Sequence, residues 1–166
     1  MSELKELLGR EPRRTLAVAE SVTIGRLQAR IGAISGASDF FLGGITAYSL
    51  DEKVRHLGID RPEADAVNGV SARVAEQMAQ GVCRLFGSDI GAATTGYAEP
   101  YAARKVETPF AWWAVARRLP DGGFEGASGR VDCPGLKRVE VQERVAAAAF
   151  DALVAWLRER AAPRTT

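Results

Sequence analysis

The chain is 166 residues long, the length of one ordinary domain, with 46% apolar and 26% charged residues. That balance excludes a disordered chain. Lys and Arg number 22 against 21 acids, for a net charge of +1, which argues against a general nucleic-acid binder with its basic face. No run approaches the ~18 apolar residues of a membrane span, and Met1 to Glu20 has no apolar core of a signal peptide. The two cysteines, Cys83 and Cys133, fall in a helical and a loop segment far apart in sequence, which suits a reducing compartment better than a disulfide scaffold. The expectation is a single domain over residues 1–166, soluble and cytoplasmic.

Glu3 to Leu8 reads as a short helix stopped at Gly9, and Thr15 to Ala19 as a buried strand. Thr23 to Ile34 has Leu27, Ile31 and Ile34 on one helical face. After the break at Gly36-Ala37-Ser38-Asp39, the second half of Phe40 to Ser49 (Ile45 to Ser49) has strand character. Asp51 to Leu57 is a short helix with acids at its start and Gly58 past its end. Ser71 caps a longer helix whose inner face is Val74, Met78, Val82 and Leu85 and whose stop is Gly87. Asp89 to Thr94 reads as a buried strand. Phe110 to Leu119 and Phe124 to Val131 form a hairpin around Pro120-Asp121-Gly122-Gly123. Lys137 to Glu159 is a long Ala-rich helix with Val141, Val145, Ala149, Ala152, Leu153 and Trp156 inward, and Ala162 to Thr166 is a tail. Strands alternating with helices, then a hairpin and a last helix, predict a three-layer α/β/α sandwich with a mixed sheet.

The common catalytic motifs are absent. There is no P-loop, no dinucleotide fingerprint after a strand and no G-x-S-x-G elbow. The single histidine, His56, has no other ligand types at metal spacing, so no metal and no cofactor are expected. What remains is a set of polar residues at segment ends, where α/β sheets place their ligands: Ser21 and Thr23, Ser38, Tyr48 with Lys53 a turn later, and Thr94-Thr95-Gly96. Each also has a plain structural role, as a helix cap, a turn residue or a strand-end cap. A serine nucleophile needs a base, and without a usable histidine a lysine is the remaining candidate. Its ammonium has a pKa of ~10.4 in water, so it must be desolvated or set beside positive charge to work near neutrality.

Ala19-Glu20-Ser21-Val22-Thr23-Ile24-Gly25, Phe41 to Lys53 (F-L-G-G-I-T-A-Y-S-L-D-E-K), His56 to Ile59, Val70 to Gly81 and Thr94-Thr95-Gly96 together resemble the C-terminal domain of the competence/damage-inducible protein CinA. That family includes nicotinamide-mononucleotide deamidases, which hydrolyse a carboxamide to the acid and ammonia without a metal. The resemblance implies a Ser-Lys mechanism with Ser38 as nucleophile, Lys53 as base and Tyr48 as a catalytic partner. It also implies substrate binding by Ser21, Thr23, Thr95, Gly96 and Arg138, a small nucleotide substrate and self-association into a homo-oligomer. Ser38 and Lys53 are therefore expected to converge in one cleft. Two departures stand out. Val22 and Ile24 replace a cysteine and a glycine of the family pattern, and the glycine-rich segment after Thr95-Gly96 is replaced by Tyr97 to Thr108 (Y-A-E-P-Y-A-A-R-K-V-E-T). Glycines let backbone N–H groups approach a ligand, and Glu99, Tyr101, Ala102 and Ala103 do so less readily. Glu99 further places a negative charge where a nucleotide phosphate is expected, with Arg104 and Lys105 nearby. The alternative reading is a catalytically weak or inactive paralogue that binds a nucleotide or a protein partner through this altered loop.

Overall fold

Three short parallel strands organise the chain. In the computed structural model, which describes residues 2–161, they are β1 (Leu16–Glu20), β2 (Phe41–Thr46) and β3 (Ile90–Tyr97). The hairpin β4 (Phe110–Arg118) and β5 (Phe124–Asp132) follows, and the sheet order is β2-β1-β3-β4-β5. β1 pairs parallel with both β2 and β3, whereas β3–β4 and β4–β5 are antiparallel. The C-terminal ends of β1, β2 and β3, at Glu20, Thr46 and Tyr97, therefore open on the same edge of the sheet, the usual location of a ligand site in α/β proteins.

β1 is buried along its whole length, and its alternation divides the core into two layers. Leu16 and Val18 face α1 (Glu3–Gly9), α2 (Arg26–Gly32) and the long α6 (Arg138–Ala161), joining Leu4, Leu8, Leu27, Ile31 and Leu153. Ala17 and Ala19 face α3 (Leu50–Leu57), α4 (Arg61–Ala66) and α5 (Ala72–Phe86), joining Leu57, Ala64, Val74, Met78 and Val82. The second layer is lined by small side chains, so α5 lies close to the sheet. A Cβ on Gly91 would collide with the Ala79 carbonyl oxygen, and only glycine fits there. The three-layer α/β/α architecture with a mixed sheet is as expected from the sequence, and among the described residues no helix is long and apolar enough to cross a membrane.

Local differences have local causes. β2 starts at Phe41 rather than Ile45, because it pairs with β1 from Leu16 onward. Gly44 is what permits this: an added Cβ would stand 2.6 Å from Val18 Cγ2 and 2.8 Å from the Gln28 side chain. β3 continues past Thr94 to Tyr97 because Phe110–Trp113 of β4 supplies an antiparallel partner, which a strand in isolation does not reveal. α2 begins at Arg26 rather than Thr23, since Thr23 and Ile24 (φ 40°) form a turn first. The sequence reading gave no element at α4, although Asp60 caps it by accepting from Glu63 N (2.9 Å) and Pro62 sits in its first turn. Leu85 is exposed instead of inward, and Ala75, Ala79 and Cys83 complete the buried face of α5. Residues 162–166, read as a tail, lie outside the described residues.

The end of β1 is fastened by Glu20, which is fully buried. Its carboxylate accepts from Thr23 Oγ1 (2.5 Å), Gly25 N (3.0 Å), Leu27 N (3.1 Å) and Gln28 N (2.8 Å), capping α2. Removing the acceptor strands these donors in the core. We expect Glu20→Ala to destabilise the fold by about 3 kcal/mol, read as a lower urea midpoint at unchanged m-value; a change below about 0.5 kcal/mol would show the cap to be dispensable.

Candidate functional site

A cleft of about 380 Å³ opens at the C-terminal ends of the parallel strands. Its walls come from the turn after β1 (Ser21), the β2–α3 connection (Tyr48 with Lys53 below it), the α4–α5 loop (Asn68), the end of β3 (Gly96 to Tyr101) and the start of α6 (Arg138). Five separate segments thus meet at one opening. The Glu20 cap fixes the first of them. Thr23 gives its single proton to Glu20 and so accepts from Thr94 Oγ1 (2.7 Å), while Ser21 N donates to the Thr94 carbonyl (3.1 Å).

Lys53 lies in the first turn and a half of α3, a helix that Ser49 caps by accepting from Glu52 N (3.3 Å). Helical spacing turns Lys53 inward while Asp51 and Arg55 point to solvent. It is only 4% exposed and has no carboxylate partner among the described residues; its ammonium reaches the Gly69 carbonyl at 3.5 Å. Burial without a counter-charge pushes its pKa down to about 8. Thr95 Oγ1 donates to the same carbonyl (2.6 Å), so one backbone oxygen ties β3 to the α4–α5 loop beside the lysine.

At the mouth, Arg138 joins two segments that are far apart in sequence. Its guanidinium donates to Glu99 Oε2 (2.7 Å) and to Tyr48 Oη (2.7 Å). Because the phenol oxygen accepts from arginine, the Tyr48 O–H remains available to donate into the cleft. Tyr97 and Tyr101 stack with ring centroids 5.8 Å apart, and Asn68 Nδ2 donates to Tyr97 Oη (3.1 Å).

The structure gathers Ser21, Tyr48, Lys53, Gly96 and Arg138 at the cleft and sets Thr95 directly beneath it. Thr23 does not line it; that side chain is fully buried and spends its hydroxyl on Glu20 and Thr94. Ser38 is not in the cleft either. It lies exposed on a 3₁₀ turn (Ala37–Asp39) that precedes β2, beside Lys5, whereas Lys53 follows β2. The intervening strand of six residues spans roughly 20 Å at ~3.3 Å per residue, so Ser38 and Lys53 do not converge within one chain. Arg104 and Lys105 stay outside the cleft, with Arg104 donating to the Ala66 carbonyl (3.4 Å). Glu99 does carry its charge to the mouth, but paired with Arg138 rather than free. The sequence reading missed Asn68 and Gly69, although an Asn-Gly pair is a strong turn signal. Among the described residues no cluster of three or more His, Cys, Asp or Glu side chains is arranged to hold a metal ion.

Comparison with known proteins places this geometry. Residues 1–157 match the CinA C-terminal domain family. A CinA-like protein of Chlorobium limicola is 35% identical over 165 residues, covering 96% of this chain and 38% of its own length. A putative competence-damage inducible protein of Moorella thermoacetica is 52% identical over 87 residues, covering 52% of this chain and 21% of the relative. The chain thus spans 21–38% of the length of these curated relatives. Among solved structures, CinA superfamily proteins of Klebsiella pneumoniae (TM-score 0.80, 26% identity, covering 95% of this chain and 94% of that one) and Enterobacter cloacae (0.79, 25%, covering 93% and 88%) share the architecture. The buried lysine under a strand-end cleft belongs, then, to a member of the CinA C-terminal domain family.

Proposed function

We propose that the protein is a metal-independent amidohydrolase acting on nicotinamide mononucleotide as a homo-oligomer, with Lys53 as the general base for Ser38 of a second copy, because the two residues do not meet within one chain. The observation that carries this reading is Lys53 itself: a lysine 4% exposed, without a carboxylate, and depressed to about 8. Burying an unpaired ammonium costs stability, and a perturbed, uncompensated group in a cleft supports a functional site there. Neutral Lys53 takes the serine proton as the hydroxyl oxygen attacks the carboxamide carbon. Tyr48 donates to the developing oxyanion, its ring held by Arg138. The C–N bond breaks as Lys53 returns the proton to departing ammonia, and the base then activates water to release the acid and regenerate serine.

A second reading, a non-catalytic paralogue that binds a nucleotide or protein at this cleft, is favoured by two observations. Ser38 lies at the far end of β2, and Glu99 occupies the guanidinium that would otherwise receive a phosphate. Ammonia release from nicotinamide mononucleotide by the purified protein, with Ser38→Ala and Lys53→Ala as controls, separates the two.

The pH profile has a definite sign. The free amine is the working form, so kcat/KM should rise about tenfold per pH unit below an inflection near 8 and level off above it; a flat profile from pH 6 to 9 would remove Lys53 from the base role. Stability runs with the same group. The folded pKa lies below the unfolded one, so the unfolded chain binds more protons between about 8 and 10.4 and stability rises with pH through that window. At pH 7 the charged side chain is a burden, and Lys53→Met should stabilise the fold by about 1–3 kcal/mol in urea unfolding while abolishing turnover. For the mouth, Glu99→Gln should free Arg138 for phosphate and lower KM for nicotinamide mononucleotide about fivefold, the equivalent of ~1 kcal/mol; an unchanged KM would show that the Glu99–Arg138 pair does not oppose the phosphate.

A further inference from the structure

We infer that Glu99 makes this cleft selective for a phosphate-free substrate: a cationic N-ribosyl pyridinium carboxamide is taken in preference to the same nucleoside bearing a phosphate. The inference rests on the deamidase reading above and narrows its substrate class by charge.

The lining offers a phosphate no unmatched cation. Of the residues around the cleft, only Lys53 and Arg138 can carry positive charge. Arg138 donates to Glu99 Oε2 at 2.7 Å and to Tyr48 Oη at 2.7 Å, so its charge is met by a carboxylate before any ligand arrives. Lys53 is buried against the Gly69 carbonyl and serves as a base only without its proton. In that working state the cleft holds one cation and one carboxylate, in contact with each other. Arg104 and Lys105 do not line it, and Arg104 donates to the Ala66 carbonyl instead. The turn that carries Ser38 adds no unmatched cation beside the serine, because Lys5 is paired there with Asp39 at 3.0 Å.

A phosphate monoester carries about −1.5 to −2 charges near pH 7. To reach Arg138 it must displace Glu99, which breaks the pair, or lie beside it, which sets like charges together. The phosphate-free nucleoside avoids both. Its ring nitrogen is quaternary, so its one formal charge is positive, and it meets a carboxylate and two aromatic rings. Tyr97 and Tyr101 stack with centroids 5.8 Å apart and line the same cleft, and aromatic faces attract quaternary nitrogen. This wall is built in advance of a ligand. Asn68 Nδ2 donates to Tyr97 Oη (3.1 Å), Phe110 packs edge-on to Tyr97 (5.6 Å), and Tyr101 exchanges two backbone hydrogen bonds with Val106 (2.8 and 3.1 Å). Nucleoside and nucleotide can both use the wall, but only the nucleotide brings an anion to Glu99. Glu99 is the discriminating residue.

Binding and turnover test this separately. Ser38→Ala leaves every charge of the lining in place and is titrated calorimetrically at about pH 8.5, where Lys53, with its pKa of about 8, is mostly the free amine. Nicotinamide riboside should then bind with a Kd about fivefold below that of nicotinamide mononucleotide. Adding Glu99→Gln should tighten the nucleotide and weaken the nucleoside, moving the ratio of the two constants by about tenfold. A merely structural loss would weaken both ligands together and leave that ratio alone. Tighter binding of the nucleotide by Ser38→Ala, binding of neither compound, or a ratio that Glu99→Gln does not move would overturn the inference. For the unmodified protein, kcat/KM for ammonia release should be higher with the riboside, and a higher value with the mononucleotide would overturn the preference. Ammonia from neither compound would defeat the deamidase reading alone, and the calorimetric ratio would still decide the selectivity.

Discussion

The Glu20 carboxylate is the constraint on which the site depends. A buried negative charge is tolerable only when its lone pairs are filled, and here three backbone N–H groups and one hydroxyl fill them. The same contacts end β1, start α2 and hold the turn through Ser21 to Gly25 against Thr94 of β3. Because an anion at a helix N-terminus also meets the positive end of the macrodipole, the arrangement is rigid without help from any ligand. Ser21 is held at the cleft by this frame.

Against that rigid frame Lys53 is set in tension. The helix that carries it is short, and the other residue it buries is the apolar Leu57. Here an ammonium sits against a lone carbonyl oxygen, with desolvation as the cause of its lowered pKa. Structural lysines normally keep their charge in water by extending along the surface, and this one does not. Holding it there costs stability that an apolar side chain would not.

The mouth is governed by a different balance. Arg138, Glu99 and Tyr48 meet there from three elements, and all are substantially solvated, so their pairing is weak and reversible compared with the Glu20 cap. Tyr97 and Tyr101 form a small aromatic wall beside them. The rim is thus built from side chains rather than from bare backbone amides.

Much of this was legible in the chain itself. The apolar run at β1, the Ser71 cap and Gly87 stop around α5, the hairpin turn between β4 and β5 and the long α6 are short-range patterns, set by periodicity and by the dihedral needs of a few residues, and the sequence alone determined them. It also determined which chemical groups were available, with a lysine and no usable histidine. Only the tertiary structure decided where those groups stand. Thr23 looked like a pocket residue and is instead consumed by Glu20; Asn68 lines the cleft, and the Gly69 carbonyl beside it accepts from Lys53 and Thr95. Ser38 and Lys53 flank one strand in sequence, which suggested proximity, but a parallel strand must carry the chain from one edge of the sheet to the other before the next segment begins. Strand direction within a sheet is fixed by pairing between segments far apart in sequence, and no local pattern around either residue encodes it.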